Sequence, residues 1–126
     1  MAISAAAIGI DLEKIDLVPA DQYVMEELFG LAERTLLSKL NPSERPMAYA
    51  QMWTQKEAYS KATGHGLDLD FAKIHTRPDG GLIESSSGLS VTTALYGHQL
   101  KCPRGYVLSV VTPHENPDIK HNGDTM

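Results

Sequence analysis

The chain holds one cysteine, Cys102, in 126 residues, so neither an internal disulfide nor a cysteine-built zinc cluster is open to it. That usage suits a reducing, cytoplasmic setting. Cys102 lies in Lys101-Cys102-Pro103-Arg104, a loop signal beside a strand, and is read as structural rather than nucleophilic. No apolar run approaches the length of a membrane span. The stretch Met1 to Ile10 is apolar but has no basic flank, and Asp11 and Glu13 follow at once, so it does not read as a signal peptide. Positive charge is also scarce. Lys and Arg total 11 against 16 Asp and Glu, a formal net charge of −5, which argues against a nucleic-acid binder that must neutralise phosphates. There is no internal repeat and no low-complexity tract. What is present is 42% hydrophobic and 21% charged, which excludes a disordered chain and fits one domain with a single core.

Apolar periodicity predicts an α+β domain over residues 1–112, with a polar, mobile tail at 113–126. A first strand covers residues 3–10 and runs into Asp11-Leu12-Glu13. A helix extends from about Pro19 to Leu40, with a break near Gly30, and Pro19 suits its first turn. Asn41-Pro42-Ser43-Glu44 reads as a stop followed by a new helix start. The second helix runs to about Thr63 and is closed by Gly64. Strands are expected at Phe71–Arg77, Leu82–Glu84, Leu89–Tyr96 and Tyr106–Val111, with a turn at Pro78-Asp79-Gly80-Gly81. The architecture so predicted is a small antiparallel sheet of three to five strands packed on a long helix.

Two segments carry chemistry. In an extended chain, residues two apart share a face, so Asp11 and Glu13 point one way while Ile10 and Leu12 point the other. On the second helix, Trp53, Glu57 and Lys61 recur every four residues and form one stripe. If that helix packs on the end of the first strand, Asp11, Glu13 and Glu57 converge. An all-oxygen set of this kind suits Mg²⁺, and Lys61 would face a phosphate. Taken singly, each feature is ordinary: a solvated strand end, a surface ion pair, a core tryptophan.

Together, Gly9-Ile10-Asp11-Leu12-Glu13 and Trp53-Thr54-Gln55-Lys56-Glu57-Ala58-Tyr59-Ser60-Lys61, with Asp11 and Glu57 46 positions apart, resemble the 4′-phosphopantetheinyl transferase superfamily. The Asp-Leu-Glu form and the tryptophan are similar to the surfactin-synthetase type; the short length is similar to the acyl-carrier-protein synthase type. The resemblance implies Mg²⁺-dependent transfer of phosphopantetheine from coenzyme A to a serine of an apo carrier protein, with 3′,5′-ADP released. It implies Asp11, Glu13 and Glu57 as metal ligands, Glu57 or a metal-bound water as base, and Lys61 on the pyrophosphate. It also implies Lys56 as a contact to coenzyme A or the partner. Glu33, four residues after Phe29, would be accessory. His65, in Gly64-His65-Gly66, stands where the family often has Lys or Arg and could touch a phosphate.

Surfactin-type relatives are about twice as long, two similar halves with coenzyme A between them, and the motifs here belong to the second half. The resemblance therefore implies a homo-oligomer, a trimer before a dimer, or a separate first-half partner. Fatty-acid, polyketide and peptide-synthetase carriers all fit as substrates. Carrier proteins are acidic, which makes Arg34, Lys39 and Arg45 the expected docking cations. Two other readings stay open: a non-catalytic subunit that binds coenzyme A or the carrier, and a Mg²⁺-dependent phosphohydrolase.

Overall fold

The first strand, β1 (Gly9–Lys14), is built inside out. Gly9 and Asp11 are buried while Ile10 and Leu12 are exposed. The face predicted for the carboxylates is thus the one that meets the body of the protein. The computed structural model describes residues 8–16, 18–64, 69–86 and 94–115.

Two short helices follow: α1 (Gln22–Leu28) and α2 (Leu31–Lys39). The sequence reading allowed one helix broken near Gly30, and the break falls there. Phe29 and Gly30 are extended, which resets the axis. Pro19 is not in a first turn, because Asp21 caps α1 by accepting from Tyr23 N at 2.8 Å and Val24 N at 3.3 Å. The long helix α3 (Arg45–Thr63) starts with Pro46 in its first turn and ends at Gly64, whose φ of 74° lies in the left-handed region. Arg45 closes the end of α2: its Nε donates to Leu37 O and Leu40 O, and its Nη2 to Ser38 O.

The sheet contains β1, β2 (Ile74–His75), β3 (Gly81–Ser85), β4 (Leu95–Leu100) and β5 (Tyr106–Thr112). Its order is β1-β5-β4-β3-β2, and every neighbouring pair is antiparallel. The expected strand at Phe71–Arg77 shrinks to two residues, since Phe71–Lys73 form a 3₁₀ turn. The expected strand at Leu89–Tyr96 is β4, displaced toward the C-terminus; residues 87–93 lie outside the described residues. Gly97 explains why β4 is hard to read from sequence. It breaks the apolar alternation, yet a side chain there would meet Gln55 Oε1 of α3 at 2.6 Å. Residues 3–7 and 116–126, on which part of the first strand and most of the tail were expected, also lie outside the described residues.

Helix α3 crosses β1, β5 and β4. Ala58 and Tyr59 pack on Ile83, Leu95 and Val111 of the sheet, and a second cluster joins Met52 and Ala48 to Phe29, Met25 and Leu37 of the smaller helices. A polar seam runs between helix and sheet, where the hydroxyls of Thr54 and Ser109 meet at 2.7 Å. Gly9 sets the spacing between β1 and α3. A methyl group on it would fall 1.8 Å from Ala58 O. Gly9→Ala is therefore expected to cost about 1–3 kcal/mol of stability and to push β1 off the helix. A urea melt coincident with that of the parent would show that strand and helix do not meet so closely. Among the described residues no helix is long and apolar enough to cross a membrane.

Candidate active site

The close passage of β1 over α3 brings the two sequence segments together. Lys61 Nζ donates to Asp11 Oδ1 at 2.8 Å and to Ile10 O at 3.1 Å, so one side chain ties the end of the helix to the strand. The bond to Asp11 holds the Lys61 ammonium above its ordinary range, with the charges of Asp11, Glu57 and Glu13 adding to it against desolvation. Half of the Lys61 side chain stays in solvent, leaving room for an anion beside it.

Asp11 Oδ2 is buried and receives no hydrogen bond from any fixed donor. Glu13 can bond to the Asp11 carboxylate only by keeping a proton. Burial first, then that bond, then the charges of Asp11 and Glu57 push Glu13 up to about 7 against the pull of Lys61. Glu57 is raised as well, by burial and by Asp11, again opposed by Lys61. An under-bonded carboxylate oxygen among mutually repelling acids is what a hard divalent cation relieves, and the oxygen donors suit Mg²⁺. Among the described residues no three His, Cys, Asp or Glu side chains converge closely enough to hold a metal by themselves. Water and substrate oxygens would complete such a shell, as is usual for Mg²⁺.

The raised proton affinity of these carboxyls has a signed consequence for stability. A carboxyl whose pKa is higher folded than unfolded binds more protons in the native state, so its contribution to stability falls as pH rises. For Glu13 the fall runs from the ordinary glutamate range up to about 7. In chelator, Glu13→Gln is expected to melt a few degrees above the parent at pH 8, with the gap closing toward pH 4.5. Melts that stay parallel across that range would show that Glu13 carries no such strain.

A cavity of about 310 Å³ opens beside Glu13, walled by Lys14 and Asp16 from the end of β1 and by Tyr49, Ala50 and Trp53 of α3. Trp53 is half-buried and packs edge-on against Phe71 with ring centroids 5.4 Å apart. Burial, and secondarily the charge of Glu13, keep the Tyr49 phenol neutral and hence able to donate. Tyr49 stands four residues before Trp53, so the stripe of Trp53, Glu57 and Lys61 extended back by one turn would have found it.

Lys56 is placed otherwise than expected. It does not face a ligand space: it is fully buried, and Nζ donates to Glu33 Oε1 at 2.9 Å, to Phe71 O at 2.7 Å and to Ile74 O. Glu33, predicted as accessory, is its partner, and Thr76 completes the cluster unforeseen. The expected docking cations are also largely committed. Arg45 is held by α2 carbonyls, and Arg34 Nε donates to Phe29 O at 3.1 Å. Lys39 is exposed, with no partner among the described residues. His65 lies outside the described residues.

Fold and site together define an α+β protein that sets paired strand carboxylates against a Glu and Lys one helical turn apart. The chain belongs to the 4′-phosphopantetheinyl transferase superfamily, whose family model matches residues 7–111. The 4′-phosphopantetheinyl transferase psf-1 of Bacillus pumilus is 37% identical over 78 residues, 60% of this chain and 32% of that protein. The slr0495 protein of Synechocystis sp. is 32% identical over 83 residues, 59% of this chain and 34% of its own length. This chain thus spans about a third of the length of these curated relatives. A holo-(acyl-carrier-protein) synthase from Bacillus anthracis, solved in complex with CoA (3′,5′-ADP), shares the fold with a TM-score of 0.67 at 21% identity, over 85% of this chain and 95% of that one. The Thermotoga maritima synthase gives 0.56 at 20% identity, over 85% and 62%.

Proposed function

We propose that the chain transfers 4′-phosphopantetheine from coenzyme A to a serine hydroxyl of an apo carrier protein and releases 3′,5′-ADP. The observation that carries this reading is the 2.8 Å bond between Lys61 and Asp11, which joins the family's two motif segments across 50 positions of sequence into one charged site.

The serine oxygen forms a bond to the β-phosphorus, and the bond from that phosphorus to the bridging oxygen breaks. The electron pair leaves with 3′,5′-ADP, and the serine proton goes to a base. Glu57 is the base in this reading, supported by burial and the neighbouring Asp11, which raise its affinity for a proton. Lys61 presents a fixed cation to the diphosphate, and its exposed half keeps the approach open. Asp11, Glu13 and Glu57 would hold Mg²⁺ only together with water and substrate oxygens, and the ion when bound supplies charge neutralisation at the phosphates. Tyr49 and Trp53 bound the cavity through which the reacting groups enter.

The outward side of β1 supports a second copy of the chain, or a first-half partner, as part of the working enzyme. Ile8, Ile10 and Leu12 are 47%, 55% and 53% exposed along one strand face, an apolar stripe of the kind that subunits cover. Carriers of the fatty-acid, polyketide and peptide-synthetase types all fit this reading, because each presents a serine to the reaction. The test is release of 3′,5′-ADP from coenzyme A, followed by chromatography. The reading expects release that needs both Mg²⁺ and an apo carrier and is absent with a serine-to-alanine carrier. Phosphate release from simple phosphoesters without any carrier would instead indicate a phosphohydrolase.

A further inference from the structure

We propose that Lys56 and Glu33, with Thr76, form a positioning lock that fixes the rotation of α3 and so holds Glu57 against Asp11 and Glu13. The inference rests on the transfer reading above for its kinetic consequences, but its structural content stands separately.

The lock is fully buried and fully bonded. Lys56 is 0% exposed and Glu33 2%. Glu33 Oε1 accepts from Gly30 N at 3.0 Å and from Lys56 Nζ at 2.9 Å. Its Oε2 accepts from Thr76 N at 2.9 Å and Thr76 Oγ1 at 2.6 Å. Lys56 spends its other two protons on Phe71 O and Ile74 O and lies 5.1 Å from the centre of the Phe29 ring. The cluster therefore joins the start of α2, the middle of α3, the 3₁₀ turn, and β2 with the residue that follows it.

Stability alone is a poor reason for such a group. Two apolar side chains of similar volume would fill the space at less desolvation cost. What the ion pair adds is direction. Lys56 and Glu57 are successive residues of one helix, so their side chains leave the axis about 100° apart. A roll of α3 that carried Glu57 away from the repelling carboxylates of β1 would drag Lys56 Nζ off its acceptors. Gly9 fixes how near the strand lies to the helix, and Lys56 fixes how the helix is turned.

The experiment compares three variants with the parent at a temperature where all are folded. Lys56→Met/Glu33→Gln removes both charges. Thr76→Val removes one donor to Glu33 and leaves the ion pair in place. Leu37→Ala opens the neighbouring helical core and serves as the control for destabilisation alone. Two quantities are read: Mn²⁺ affinity by electron paramagnetic resonance, and kcat and KM for coenzyme A in transfer. The lock predicts that the double variant binds Mn²⁺ at least ten times more weakly and loses at least thirtyfold in kcat, with KM within threefold. Thr76→Val should lose three- to tenfold in kcat, and Leu37→Ala should match the parent in both readouts. Variants of the lock that behave like Leu37→Ala would overturn the proposal. If the double variant does not fold, Thr76→Val decides by the same comparison. A parent that binds Mn²⁺ but transfers nothing would sink the transfer reading, and the Mn²⁺ affinities would still decide the lock. A parent that binds no Mn²⁺ would overturn both.

Discussion

Glu57→Gln should lower transfer by about 10²–10³-fold while leaving the melting temperature unchanged or slightly higher. The magnitude is that of removing one preorganised electrostatic group from a reacting centre. The direction of the stability effect follows from the environment of Glu57. Burial and Asp11 raise its pKa, so its ionised form is disfavoured in the native state, and that cost is present at neutral pH. Glutamine keeps the shape and drops the charge. Activity and stability therefore part company at this residue, which a merely structural Glu57 would not allow. Thermal melts and 3′,5′-ADP release on the same preparation check it. Near-normal turnover would remove Glu57 from the site.

Lys56→Met alone should carry, beside its effect on the site, a large loss of stability. Removing the amine leaves the Glu33 carboxylate buried beside Gly30 N and Thr76 without its counter-ion, and leaves Phe71 O and Ile74 O without their donor. Breaking one side of a buried pair costs about 3–5 kcal/mol. Against a total stability of about 5–15 kcal/mol for a domain, that is a large fraction. Neutralising Glu33 as well should recover part of the loss, because the uncompensated charge goes with it. Urea melts of the two single variants and the double variant measure the coupling. A Lys56→Met midpoint close to that of the parent would mean that water reaches the pair.

The two periodicities explain what was legible in the sequence. A strand repeats every second residue, so Asp11 and Glu13 had to share a face, and they do, with Asp11 turned inward. A helix brings every fourth residue to one stripe, which aligned Trp53, Glu57 and Lys61 and would have added Tyr49. Periodicity does not say which stripe faces which neighbour. Lys56 is adjacent to Glu57 in the motif, which suggests a ligand contact, but its direction depends on how α3 sits on α2 and on the Phe71–Ile74 turn. That is a tertiary fact. Glycine obscured the strands for a related reason. Gly97 interrupts the apolar pattern of β4 because a helix side chain occupies the place of its own, and Gly9 leaves room for the backbone of α3. The break at Phe29-Gly30 was visible as a glycine in a helical pattern. The reason it is needed, that Glu33 must reach Gly30 N and Lys56 together, was not.

The measurement that bears most directly on the central claim is the intact mass of an apo acyl carrier protein after incubation with this chain, coenzyme A and Mg²⁺, with and without chelator. The account predicts a gain of one phosphopantetheine arm that chelator abolishes and that Glu57→Gln slows in proportion to its effect on 3′,5′-ADP release. An unchanged mass with fatty-acid, polyketide and peptide-synthetase carriers alike, from a folded chain that binds coenzyme A, would contradict transfer and leave a binding subunit in its place.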